Sequence, residues 1–222
     1  MKLKAKAYLR IAAEDWRNKY DYVGFFIDGL AEVRREGRHG FVDKTGKEVI
    51  PLKYDWVGAF MEGFAHVELN GKYGFIDKTG EEVVPPKYNG IGPFCEGLAG
   101  VILKGKCGFV DQQGEEVIPP KYDSAWYFRD GLAQVRSGDR ATGKWGFVDK
   151  EGNEVVKLKY DSVGYFRYDL CEVKLGDKMG WVTREGKELL LPKDKYIQIK
   201  NLIELEKITE EDIINWINER AV

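Results

Sequence analysis

The chain is 222 residues long, 43% hydrophobic and 32% charged, with a formal net charge of −2 at neutral pH. That near balance leaves no field to draw in nucleic acid or an anionic membrane, and no apolar stretch approaches the ~18 residues a membrane span needs. Three cysteines, Cys95, Cys107 and Cys171, an odd number without metal-type spacing, argue against a disulfide framework and read as small buried hydrophobes in a reducing compartment.

The first seven residues alternate lysine with apolar side chains and lack the continuous apolar region of a signal peptide, so a cytoplasmic location is expected. Residues 1–18 read as an N-terminal cap with room for an extra strand. From residue 19 a unit of about 34 residues takes over. Its marker is a glycine followed by an aromatic: Gly40-Phe41, Gly74-Phe75, Gly108-Phe109, Gly146-Phe147 and Gly180-Trp181, spaced by 34, 34, 38 and 34 residues. A tyrosine column preceded by lysine runs through Tyr20, Tyr54, Tyr88, Tyr122 and Tyr160, and Tyr196 opens a partial sixth copy. Six residues past each of the first five tyrosines stands Phe26, Phe60, Phe94, Phe128 or Phe166, followed by a Gly-Leu-Ala step such as Gly29-Leu30-Ala31, from which the fifth copy departs with Asp169-Leu170-Cys171.

Within each unit the pattern is that of strands. Ala31-Glu32-Val33-Arg34 and Ala65-His66-Val67-Glu68 alternate apolar and polar residues, as half-buried strands do. Gly37-Arg38 and Gly71-Lys72 predict two-residue hairpin turns with glycine first. A second strand such as Tyr73–Asp77 ends in Asp77-Lys78-Thr79-Gly80, where glycine suits a positive φ and the aspartate suits an Asx turn rather than a calcium site. A third strand, Glu82-Val83-Val84, is predicted to stop at Pro85, and the Lys-Tyr-Asp stretch has room for a short fourth. The lysine and glutamate columns read as solvated ladders of mixed charge.

These residues resemble the bacterial WG-repeat family, also called the KWG repeat. The match runs through Gly143-Lys144-Trp145-Gly146-Phe147-Val148-Asp149 and on to Lys159-Tyr160-Asp161, and again through Gly71–Gly80 and Val84–Tyr88. The tryptophan column departs from it at His39, Tyr73, Cys107 and Met179, which marks a packing position. The resemblance implies a non-catalytic β-repeat module and, from variable copy number, an open stack or superhelix; the alternative is a five-bladed β-propeller.

The expected architecture is therefore all-β: tandem antiparallel hairpins or meanders over residues 19–197, and a tail over 198–222 with a capping helix at 209–221. Thr209-Glu210-Glu211-Asp212 forms a capping box ahead of an apolar stripe through Ile213, Trp216 and Ile217. No constellation for catalysis is found. His39 lies in a packing column, His66 on the polar face of its strand, and 138–144 lacks the residues of a phosphate loop. No enzyme activity, cofactor or metal is expected; the sequence leaves the oligomeric state open, with a monomer favoured. The places that break the repeat are the better binding candidates. They are Asp139 and Arg140 in the lengthened 137–143 loop, the nearby aromatics Trp126 and Tyr127, and Trp216 in the terminal helix. The expected role is a binding or scaffold module for a protein or polymer partner. The alternative is an accessory or immunity-type protein that engages one partner through the 137–143 loop and the C-terminal helix.

Overall fold

The computed structural model describes residues 16–220. The N-terminal cap expected over 1–18 lies outside them except for a 3₁₀ turn, Trp16–Lys19. Five four-stranded antiparallel sheets follow in tandem, each built from consecutive strands in simple meander order. The first contains β1 (Tyr22–Val23), β2 (Leu30–Arg35), β3 (Arg38–Asp43) and β4 (Glu48–Tyr54). The second contains β5 (Trp56–Val57), β6 (Phe64–Leu69), β7 (Lys72–Asp77) and β8 (Val84–Tyr88). The third contains β9 (Gly90–Cys95), β10 (Leu98–Leu103), β11 (Lys106–Asp111) and β12 (Ile118–Tyr122). The fourth contains β13 (Ser124–Ala125), β14 (Ala133–Ser137), β15 (Lys144–Val148) and β16 (Glu154–Tyr160). The fifth contains β17 (Ser162–Val163), β18 (Leu170–Leu175), β19 (Lys178–Thr183) and β20 (Glu188–Pro192), and two helices follow it, α1 (Lys193–Glu204) and α2 (Glu210–Arg220). The chain divides into two compact units, up to Ile91 and from Gly92.

Three local readings of the sequence are corrected. The central hairpin turns are one residue earlier than predicted: Glu36-Gly37, Asn70-Gly71 and Lys104-Gly105, with both residues of each pair at positive φ. That is the type I′ geometry, whose hand matches the strand twist. Among the two-residue turns glycine comes first in the fifth copy, at Gly176-Asp177, and Gly138 likewise opens the longer loop of the fourth.

The last strand of a sheet does not stop at its proline. β4 passes through Pro51, β8 through Pro85-Pro86 and β12 through Pro119-Pro120. Each is an edge strand, where a missing donor is tolerated. The Lys-Tyr pair is therefore the end of this strand, and the strand after it, short in every sheet but the third, opens the next sheet.

The third correction concerns Tyr196. It opens no sixth set of strands, because 193–204 is helical. The helix still presents a buried Tyr196 to Trp181, with ring centroids 4.8 Å apart.

The glycine of the marker is explained by the edge strand. Tyr73 faces Tyr88 and Phe75 faces Val84, so Gly74 alone stands opposite the three residues Pro85–Lys87. The same wide bulge lies opposite Gly40, Gly108 and Gly146. It drives backbone against the glycine, leaving no room for a Cβ.

Within each unit neighbouring sheets pack face to face. In the first unit Leu30, Phe41, Ile50 and Tyr54 of the first sheet share a core with Val57, Ala65, Val67 and Ile76 of the second. The opposite face of the first sheet, Ala31, Val33 and Val42, is covered by Trp16 and Tyr20. In the second unit the third and fourth sheets share one core, and the fourth and fifth another. Ile213 and Ile217 of α2 close the fifth sheet over Trp181 and Leu189. Burying those two isoleucines contributes roughly 1.5–3 kcal/mol each. The capping box is reciprocal: the Thr209 amide donates to Asp212 at 2.7 Å, and the Asp212 amide donates to the Thr209 hydroxyl at 3.2 Å.

Candidate binding clefts

Polar columns join successive sheets instead of forming solvated ladders. Glu82, in the connection that leads into β8 of the second sheet, accepts from Lys53 at 2.7 Å and from the Tyr54 hydroxyl at 3.1 Å, both in the first sheet. Lys159, Tyr160 and Glu188 repeat the arrangement between the fourth and fifth sheets. Burial pushes Tyr54 up to about 12, with the Glu82 charge adding to it. Tyr160 is raised further for the same reasons. Glu82 is held below its ordinary value, chiefly by the Lys53 ammonium.

The aspartate after the tyrosine also joins sheets. Asp55 accepts the Asn70 amide at the hairpin turn of its own sheet and pairs with Arg38 of the preceding one. Asp123 with Lys106 and Asp161 with Lys144 do the same. The other aspartate column is closed on itself. Asp43 and Asp77 each accept two amides and a threonine hydroxyl within their own turns. That Asx arrangement holds Asp43 below its ordinary value, led by the Thr45 hydroxyl.

His39 Nδ1 lies 2.7 Å from Glu32, and the His66 ring packs on Phe75 at 4.4 Å. The Cys171 thiol is buried and pushed up to about 12 by that burial, and burial raises the Cys107 thiol as well. Among the described residues no group of histidine, cysteine, aspartate and glutamate could hold a metal ion, and no helix is long and apolar enough to cross a membrane.

Several of the large side chains that the sheets leave uncovered are aromatic. Between the short first strand and the second strand the chain makes a tight turn, such as Asp28-Gly29, in which Ile27 and Leu30 exchange backbone bonds. The acid of that turn is held by a cation from the next sheet: Asp28 by Lys78 at 2.9 Å and Glu96 by Lys150 at 3.2 Å. The carbonyl of Asp130 likewise accepts from Arg184 at 2.9 Å. In three copies the residue before the core phenylalanine is an aromatic that projects outward: Phe25 is 93% exposed, and Tyr127 and Tyr165 are each 54% exposed, while the other two copies have Ala59 and Pro93 there. These side chains rim clefts of the same construction. In the first unit Phe25, Ile27, Leu30, Glu32, Phe41 and Phe60 enclose about 180 Å³. In the second, Trp126, Tyr127, Leu132, Gln134, Phe147 and Tyr165 enclose about 30 Å³.

Trp126 and Tyr127 thus belong to a cleft, but the structure does not bring them to the 137–143 loop. The Trp126 amide donates to the Gln134 carbonyl, toward one end of β14, while the loop leaves the other end after Ser137. Asp139 is engaged inside the loop, accepting the Ala141 and Thr142 amides at 2.7 and 2.8 Å. Arg140 is exposed. Trp216 is 37% exposed beside Leu189, Leu191 and Ile199, around a separate cavity of about 310 Å³. Sequence reasoning missed Phe25 and Tyr165. Their signal was the doublets Phe25-Phe26, Tyr127-Phe128 and Tyr165-Phe166, since neighbouring residues in extended chain face opposite ways.

A family model described as "WG containing repeat" matches residues 19–38, 40–73, 73–107, 108–140 and 145–178. No curated protein matches the chain. Among solved structures, Hsv2p of Kluyveromyces lactis is similar at 9% identity and TM-score 0.40, over 77% of this chain and 62% of that one. A eukaryotic initiation factor is similar at 10% identity and TM-score 0.45, over 76% and 52%. The tricorn protease is similar at 14% identity and TM-score 0.31, over 76% and 20%. The chain spans about three fifths of the length of the Hsv2 structures, 61% and 62%.

Proposed function

The chain belongs to the family of WG-containing repeats, and we propose that it works as a non-catalytic binding module that holds a protein or polymer partner on the aromatic rims of its sheets. One observation carries this reading: Phe25, Tyr127 and Tyr165 occupy one repeat position and stand exposed beside clefts built alike. Exposed aromatics offer large contact area at low entropic cost. Repetition of one weak contact along a stack adds avidity. The non-catalytic part of the proposal draws support from how the reactive groups are engaged. Carboxylates close turns and join sheets, and the Cys107 and Cys171 thiols are raised by burial. A reducing cytoplasm suits three free cysteines, and near-neutral charge favours neither nucleic acid nor membrane.

The test compares three forms of the full chain in affinity capture from its source cells. One is unaltered, one carries Phe25→Ser, Tyr127→Ser and Tyr165→Ser, and one has 139–142 shortened. Loss of partners in the serine variant with retention in the loop variant is expected. The reverse outcome would move the site to the irregular parts and to a single dedicated partner.

A further inference from the structure

The two aromatic clefts share a construction but not a chemistry. Gly24, Phe25, Ile27 and Ala59 line the cleft of the first unit, and the same repeat positions between the fourth and fifth sheets hold Trp126, Tyr127, Arg129 and Tyr165. The exchange adds an indole N–H, two phenol hydroxyls and a guanidinium. Among the described residues the Trp126 indole and the Tyr127 and Tyr165 hydroxyls have no hydrogen-bond partner. Arg129 has Asp130 at 3.8 Å, an exposed pair that holds it loosely. The acceptors of the cleft are engaged. Gln134 is fixed by its amide, which donates to the Gly164 carbonyl at 2.6 Å. The Asp130 carboxylate lies between Arg129 at 3.8 Å and Arg184 at 3.9 Å.

A further aromatic is held beside this cleft at a conformational cost. Tyr168 has φ +51°, a conformation that bulky residues rarely adopt, where the other copies carry Asp28, Glu62, Glu96 and Asp130. It is 84% exposed, so burial does not offset the strain. Arg184 ties it to the cleft wall by donating to the Tyr168 carbonyl at 3.3 Å and to the Asp130 carbonyl at 2.9 Å.

The cleft itself encloses only about 30 Å³, far below the roughly 300–1,000 Å³ of small-molecule sites. A ligand must therefore lie across the rims rather than enter. It must bring apolar faces for the rings and acceptors for the free donors. A polyproline II segment does both: its carbonyls are unpaired, proline has no N–H, and its rings seat between aromatic side chains. The match is electrostatic, with the positive ends of indole, phenol and guanidinium facing carbonyl oxygens. Sugar hydroxyls donate as well as accept, and would need acceptors that this cleft has committed elsewhere.

We propose that the cleft between the fourth and fifth sheets binds a proline-rich segment in the polyproline II conformation. Its prolines sit between Tyr127 and Tyr165, and its carbonyls accept from the Trp126 indole, the two tyrosine hydroxyls and Arg129. The proposal rests on the reading of the aromatic rims as the binding surface and names the partner class for one of them.

The probe is decaproline, titrated into the full chain while the ¹⁵N-indole signal of Trp126 is followed, that signal being assigned by Trp126→Phe. A Gly-Ser peptide of the same length and maltohexaose serve as controls. The first has carbonyls without a fixed conformation, and the second has stacking faces with hydroxyls. Saturable movement of the Trp126 signal at millimolar decaproline or below is expected, with the Gly-Ser peptide at least about tenfold weaker. Tyr165→Phe keeps the ring and removes one donor, so it should weaken decaproline about fivefold and leave the thermal melt unchanged. An equal response to the Gly-Ser peptide, undiminished affinity in Tyr165→Phe, or a Trp126 signal that does not move with decaproline would overturn the proposal. A response to maltohexaose in place of decaproline would also overturn it while leaving the rim reading intact. The rim reading fails separately, if the serine variant keeps its partners in the capture experiment.

Discussion

Replacing Gly74 by alanine tests whether the repeat's marker glycine exists for close approach rather than for an unusual φ. A Cβ at position 74 would lie 2.2 Å from the Val84 carbonyl oxygen and 2.8 Å from the Pro86 nitrogen. Comfortable contact is roughly 3.5 Å, so the edge strand must retreat by about 1 Å. Both obstacles are backbone atoms, and no rotamer relieves them. Val84 and Tyr88 on that strand are fully buried, so the retreat loosens the core as well. Overpacking of this kind costs about 1–3 kcal/mol, and the rigidity of the obstacle places Gly74→Ala near the upper end. The control is Gly63→Ala. Its Cβ meets nothing within 4 Å, and the substitution carries only the strain of φ +92°, about 1–2 kcal/mol. At about 2–4 °C per kcal/mol for a chain of this size, Gly74→Ala should lower Tm by about 6–12 °C and Gly63→Ala by about 2–8 °C. Melts of the full chain followed by circular dichroism, with urea midpoints beside them, make the comparison. A Gly74→Ala protein no less stable than Gly63→Ala would refute the close-approach explanation.

The tyrosine column allows a paired comparison. Tyr54→Phe, which removes a hydroxyl bonded to Glu82, should cost about 0.5–1.5 kcal/mol in urea unfolding. Tyr122→Phe, whose buried hydroxyl has no partner among the described residues, should cost nothing or stabilise. Stability should also depend on alkaline pH. Tyr54 and Tyr196 are each pushed up to about 12 from 10.0, so above pH 10 the unfolded chain loses phenolic protons that the folded chain keeps. Stability is then full below pH 10 and falls as pH rises to about 12; a urea midpoint constant across that window would contradict it. Ile213→Ala, which empties a fully buried position between α2 and the fifth sheet, should cost about 2–5 kcal/mol and expose surface to a hydrophobic dye.

The repeat made much of this legible from sequence. The Asp-x-x-Gly turns could be placed because an Asx aspartate and a positive-φ glycine each leave a distinctive residue at a fixed offset, as at Asp77 and Gly80. The hairpin turn was misplaced by one residue because both flanks of Gly71 are polar; the stronger signal was Asn70-Gly71, the pair that type I′ favours. The strand through Pro85 was lost because proline was weighed as a breaker before its place at an edge was known. Lys195-Tyr196 copied the tyrosine column while Tyr196, Ile199, Lys200 and Ile203 followed helical spacing, so one pattern masked the other. The charged columns read as solvated because their partners lie 28 and 29 residues away, and sequence alone does not say which face of a sheet is covered. The clefts were half seen: Trp126 and Tyr127 stood out as irregular, whereas Phe25 and Tyr165 passed for ordinary repeat residues.

The helices at the end of the fifth sheet carry a consequence for self-assembly. Leu170, Trp181 and Leu189 beneath α1 and α2 form the kind of surface that, in earlier sheets, receives another sheet. Such a surface is directional: what fits on it is the opposite face of a repeat, not a copy of itself. Contacts of that head-to-tail type close into a ring or continue as a filament according to the rotation between copies. The two helices therefore occupy a face on which another repeat would otherwise pack, and a form of the protein lacking them would leave Leu170, Trp181 and Leu189 uncovered.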